Sequence, residues 1–191
     1  MLALLAQGRP LHYWGPSVPV IAPGVHETRP EVARVTQIHA DLEDGDAFLR
    51  FVLDRAVREA MSLRDGTPVS GRLQISLYID VDDDPETGRT GPVDEQRRGA
   101  DRLIEVSTLY VGADEEEERE AQARVLITID ALDARGRRER LWAGDHVDLP
   151  DRISLRGDSV EARLPRSGTG LEPGSRLVYA TGDSVFEGWM R

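Results

Sequence analysis

Glycine and proline interrupt this chain too often for a convincing long helix. The 18 Gly and 11 Pro help to place turn signals roughly every 8 to 15 residues. Between them, apolar residues recur with the period of two that marks a strand with one buried face. In the clearest case, Leu73, Ile75, Leu77, Ile79 and Val81 alternate with Gln74, Ser76, Tyr78 and Asp80. Further strands are expected at Asp101–Val111, at Val125, Ile127 and Ile129 with a return through Arg138–Trp142, and last at Arg176–Thr181. Val32–Leu42 and Ala47–Asp54 flank Asp44-Gly45, and Arg152–Arg156 and Ser159–Leu164 flank Gly157-Asp158, both hairpin signals. Phe48, Val52, Ala56, Ala60 and Leu63 also fall at helical spacing, so the first hairpin is expected to end at Asp54, with a helical turn within Ala56–Leu63. The rhythm predicts an all-β fold: an antiparallel β-sandwich of jelly-roll or immunoglobulin-like kind with one short helix.

The 191 residues suit one domain. Residues 1–31, broken by Pro10, Pro16, Pro19, Pro23 and Pro30, read as an irregular lead-in, and residues 32–191 as the sandwich. Tyr13 and Trp14 are expected to anchor the lead-in by packing. The apolar run Leu2–Ala6 is short for a signal-peptide core and has no basic segment before it. It reads equally as the tail of a longer leader or as an ordinary first strand.

Composition narrows the function classes. A net charge of −11 opposes nucleic acid and suits a collector of cations. All 24 basic residues are Arg, which excludes a Walker-type loop with its obligatory Lys. The absence of Cys removes disulfides, thiolate zinc sites and cysteine nucleophiles. No apolar run approaches the ~18 residues of a membrane-spanning helix, and no hydrolase motif occurs, so a non-enzymatic protein is expected. The acidic run Asp114–Glu118 reads as a solvated loop, and Arg156-Gly157-Asp158-Ser159 as a hairpin turn.

The chemistry gathers where the first clear strand dissolves into a loop. Asp80, Asp82 and Asp84 alternate into Pro85, Gly88, Gly91 and Pro92. Ile104 and Val106 mark the core face of the next strand, which puts Asp101 and Glu105 on the side of Asp80 and Asp82. Carboxylates converging at the rim of a sheet suit calcium, with Asp80, Asp82, Asp84 and Asp101 as ligands. An EF-hand loop is excluded, because Pro85 takes the place of its glycine and Gly91 that of its bidentate glutamate.

Tyr78-Ile-Asp-Val-Asp-Asp-Asp-Pro-Glu-Thr-Gly88, followed by Gly99-Ala-Asp-Arg-Leu-Ile-Glu-Val106, resembles a segment of bacterial extracytoplasmic β-sandwich domains. Those domains are similar to family 9 carbohydrate-binding modules and the DOMON-like group, and Val160–Pro165 resembles their late strand. Arg102 departs from the pattern, standing where an aromatic is commoner. The resemblance implies an exported domain with structural calcium and a sugar, haem or other small ligand. A sugar site calls for exposed aromatics, for which Trp142, Trp189 and Tyr110 are the candidates, with Tyr179 behind them. His12, His26, His39 and His146 are too scattered to suggest a haem ligand. The reading is a calcium-stabilised, ligand-binding sandwich; its alternatives are a structural or interaction module and a glycoside hydrolase.

Overall fold

The computed structural model describes residues 8–23, 32–61, 63–64, 67–68, 73–90, 97–111, 122–181 and 184–190, without the side chains of 63, 64, 67, 68, 110, 111, 122 and 184. Twelve strands appear in chain order: β1 Val35–Glu43, β2 Asp46–Leu53, β3 Leu63–Arg64, β4 Thr67–Pro68, β5 Gln74–Asp80, β6 Arg102–Val111, β7 Gln122–Leu132, β8 Arg138–Asp145, β9 Ile153–Arg156, β10 Ser159–Pro165, β11 Arg176–Thr181 and β12 Ser184–Trp189. Two single helical turns, α1 Val57–Ala60 and α2 Arg166–Thr169, complete the described elements. A four-stranded sheet runs β1-β2-β10-β9, a six-stranded sheet runs β12-β11-β5-β6-β7-β8, and β3 and β4 form a two-stranded sheet. Every pairing in the two large sheets is antiparallel.

The core lies between the two large sheets. Leu49, Phe51, Val160 and Ala162 from one meet Ile75, Leu77, Ile104, Ile127, Ile129 and Leu177 from the other in one buried cluster. Burying each of these side chains except the small Ala162 contributes about 1.5–3 kcal/mol. Period two places these residues inward, as the sequence predicts. The first hairpin turns at Asp44 and Gly45 with φ of 38° and 87°, left-handed geometry of the sort that matches the twist of paired strands. α1 falls inside the expected Ala56–Leu63 window.

Three departures matter. β11 is not the last strand, since β12 pairs along it from Arg176↔Trp189 to Thr181↔Ser184. A Cβ on Gly188 of β12 would stand 1.9 Å from the Val20 carbonyl oxygen, so only glycine lets the lead-in pass there. A second helical turn, α2, follows β10, where the sequence reading places no helix. The alternation in β5 also fails at its far end: Tyr78, Ile79 and Asp80 are all buried, although Tyr78 and Asp80 belong to the polar face. The segment after β5 folds back over that face, where Tyr78, Ala100, Leu103, Leu132 and Val178 make a second buried cluster.

The described lead-in forms a strap across the outer face of the four-stranded sheet. His39, Arg50, Glu161 and Ser154 stand opposite one another in a single row across β1, β2, β10 and β9. The strap follows that row: Gly8 N–H donates to the Leu155 carbonyl, Ser154 Oγ to the Arg9 carbonyl, Leu11 N–H to Glu161, and Ser17 Oγ to His39. It ends with Val20 and Ile21 bonded to Ile38 on β1. Trp14 packs edge-on against His12 and His39, whereas Tyr13 stands 90% exposed and does not serve as the expected packing anchor among the described residues. The Leu2–Ala6 run and the acidic run lie outside the described residues.

Candidate metal centre

β5 delivers Asp80 to the end of the six-stranded sheet, and the loop that follows gathers its neighbours. Asp101 N–H donates to the Ile79 carbonyl at 2.8 Å, and Val81 N–H donates to Asp101 Oδ2 at 3.0 Å. These two bonds pin the start of the returning strand beside Asp80. Asp83 takes a left-handed φ of 54°, which turns the chain after Asp82. Asp82 Oδ1 then accepts from Asp84 N–H and Thr87 Oγ, closing a short side-chain turn.

One oxygen from each of Asp80, Asp82 and Asp101 lies within 4.8 Å of those of the other two. Oxygens on opposite sides of a calcium ion stand roughly 4.6–5.2 Å apart, so one ion can be shared. Asp84 stays out of this group. Its Oδ1 accepts the Glu86 N–H at 2.9 Å, because Pro85 turns the chain before a fourth carboxylate can swing inward. Gly99 seals the site from above: a Cβ there would fall 2.6 Å from Asp80 Oδ2 and 2.9 Å from the Asp84 carbonyl oxygen.

Asp80 is 1% exposed, and its two oxygens differ. Oδ2 accepts from Arg176 Nη2 at 3.0 Å and Nε at 3.3 Å. Oδ1 is buried with no hydrogen-bond partner among the described residues. A buried carboxylate oxygen left bare costs a kcal/mol or more, and a proton or a cation relieves it. Burial pushes the Asp80 carboxyl above its ordinary pKa; Arg176 opposes the rise, while Asp101 and Asp82 reinforce it. Burial likewise raises Asp101, against the Val81 N–H and with Asp82 adding to the rise. The donors are all carboxylate oxygens, the set that hard divalent cations take.

The sequence did not point to Arg176, 96 positions after Asp80. Only the pairing of β11 with β5, Arg176↔Asp80, brings it to the site. Gly99 was visible as part of a motif, but not as the wall of a site.

The aromatic candidates do not come together. Trp142 stands opposite Ile129 on the edge strand β8, half-buried against the main core. Trp189, 49% exposed, lies on the other edge of the same sheet, opposite Arg176 and so on the face that carries Asp80. The Tyr110 side chain lies outside the described residues, and Tyr179 is buried in the core. A depression of about 330 Å³ between β5 and β7 is lined by Gln74, Glu105, Ser107, Thr128 and Arg140 among others, with no tryptophan. A second group, His12, Asp41 and Glu43, lies where the strap crosses β1. There His12 Nε2 meets Asp41 at 2.9 Å over the Phe48 ring, so the strap contact itself accounts for the arrangement.

No family model, curated protein or solved structure matches this chain.

Proposed function

We propose that the chain is a non-catalytic, ligand-binding β-sandwich module stabilised by calcium held between Asp80, Asp82 and Asp101. The bare, buried Oδ1 of Asp80 among three clustered carboxylates carries this reading. Folding assembles mutual repulsion there, and a divalent ion converts it into attraction. Calcium then stabilises the native state by RT ln(1 + [L]/Kd), about 2.7 kcal/mol at a hundredfold excess over Kd. The proposal places the protein outside the cytoplasm, where calcium modules bind at about 10⁻⁴–10⁻³ M. Thermal melting in millimolar calcium against EDTA is the test, with a rise of several degrees expected. An unmoved melting point at saturating calcium reduces the cluster to a solvated acidic turn.

The ligand proposed is a carbohydrate, supported by the exposed Trp189 indole on the face that carries Asp80. Glycan-array binding with and without chelator tests it, with Trp189→Ala as the control. Calcium stabilisation without binding to any glycan would favour a structural or interaction module.

A further inference from the structure

We infer that Arg176 sets which ions the carboxylate cluster accepts, restricting it to divalent cations and holding Asp80 to a single ligating oxygen. This rests on the cation-site reading above and assigns a specificity residue within it.

The geometry is asymmetric in a way that ion pairing alone does not require. A guanidinium commonly meets a carboxylate fork to fork, one N–H to each oxygen. Here Nε and Nη2 both converge on Oδ2, at 3.3 and 3.0 Å, and leave Oδ1 bare. Other contacts hold the guanidinium in that pose: Nη2 donates to the Arg98 carbonyl at 2.6 Å and Nη1 to Glu187 at 3.3 Å. The side chain is 14% exposed, so its charge acts through little water. Asp80 therefore offers an ion Oδ1 alone.

The charges follow the same logic. Asp80, Asp82 and Asp101 bring three negative charges, and Arg176 fixes one positive charge against the buried one. Two remain, matching a divalent ion. Arg176 also meets Asp83 at 3.7 Å and Glu187, but those side chains are 59% and 34% exposed and better screened. Arg102 stands opposite Ile79 on the core-facing side and donates to the Asp101 carbonyl, a lesser influence on the cluster. A trivalent ion would leave a net positive charge beside a fixed guanidinium.

Calorimetric titration of the full chain with calcium and with terbium tests the assignment in the wild type, Arg176→Gln and Arg176→Lys. Gln keeps an N–H for Oδ2 and removes the charge; Lys keeps the charge and loses the fork. Arg176→Gln is expected to raise the ratio of terbium to calcium affinity about tenfold or more. That is the order for removing a unit charge about 6 Å from the ion, at a dielectric between surface and bulk values. Arg176→Lys should stay within about threefold of the wild type. An unmoved ratio in Arg176→Gln, or an equal shift in both variants, overturns the role of Arg176 and leaves the calcium site standing. If Arg176→Gln does not fold, Arg176→Met, which also removes the charge, is read by the same ratio: a rise of about tenfold or more supports the assignment, and an unmoved ratio overturns it. A wild type that binds neither ion overturns the cation site and this assignment together.

Discussion

Gly88 and Gly99 face each other across the base of the loop that follows β5: a Cβ on Gly88 would lie 2.6 Å from the Gly99 carbonyl oxygen. Both carry positive φ, 52° and 84°. Between them, Arg89 N–H donates to the Ala100 carbonyl and Gly99 N–H to the Arg89 carbonyl. Gly99→Ala combines left-handed strain with a clash against the buried Asp80, so a loss of about 2–4 kcal/mol is expected. Gly45→Ala shares the positive φ but meets nothing within 4 Å among the described residues, and should cost about 1 kcal/mol. Urea denaturation of the two variants checks the difference.

The carboxylates should separate by their response to calcium. Asp80→Asn and Asp101→Asn should each abolish most of the calcium-dependent rise in melting temperature. Asp84→Ala should keep that rise while losing about 0.5–1 kcal/mol of overall stability, because its oxygen caps Glu86 N–H and not the shared point. In EDTA, Asp80→Asn should change stability by less than about 1 kcal/mol, because relief of repulsion from Asp82 and Asp101 offsets the weakened pairing with Arg176. Melting curves with and without calcium measure all three.

Two histidines set the response to mild acid. Burial lowers the pKa of His146, whose Nδ1 accepts the Val125 N–H at 3.0 Å. Burial, with Arg50 beside it, lowers His39, whose Nδ1 accepts from Ser17 Oγ. A lowered folded pKa means stability that is present above the unfolded value near 6.5 and lost as pH falls through the folded value. Stability should therefore drop as pH falls below about 6.5. His146→Gln, which keeps an acceptor for Val125, should flatten part of that drop in urea titrations as the pH is lowered.

Trp142 and Trp189 should behave oppositely. Trp142 packs against the core, so Trp142→Ala should cost about 2–4 kcal/mol. Trp189→Ala should stay within about 0.5–1 kcal/mol of the wild type and, on the carbohydrate reading, abolish binding. Chemical denaturation and glycan binding of both variants provide the two readouts.

The strands were legible because their period and their turns agree. Ile75, Leu77 and Ile79 bury as their spacing dictates, and Asp44-Gly45 and Gly157-Asp158 turn where their chemistry allows. Tyr78 and Asp80 were misread as a solvated face because alternation cannot show that a later segment covers it. Three of the four expected carboxylates meet, since the parity of Asp80 and Asp101 fixes their shared side, whereas the side-chain turn at Asp84 depends on local loop geometry. β12 escaped notice because Val185, Phe186 and Trp189 break strict alternation around Gly188. Arg176 was invisible because strand order, which is non-local, places it.

The strap of residues 8–21 has a consequence for self-association. Gly8 occupies a carbonyl on the free side of β9, and Val20 and Ile21 occupy the free side of β1. One segment thus blunts both margins of the four-stranded sheet, where bare strands would otherwise template the pairing of other chains. On the six-stranded sheet, the margin at β8 begins Arg138-Glu139-Arg140, and such charges discourage docking by a like strand. A single cleavage after Ile21 that released the strap would bare two sheet margins at once and open both to edge-to-edge pairing.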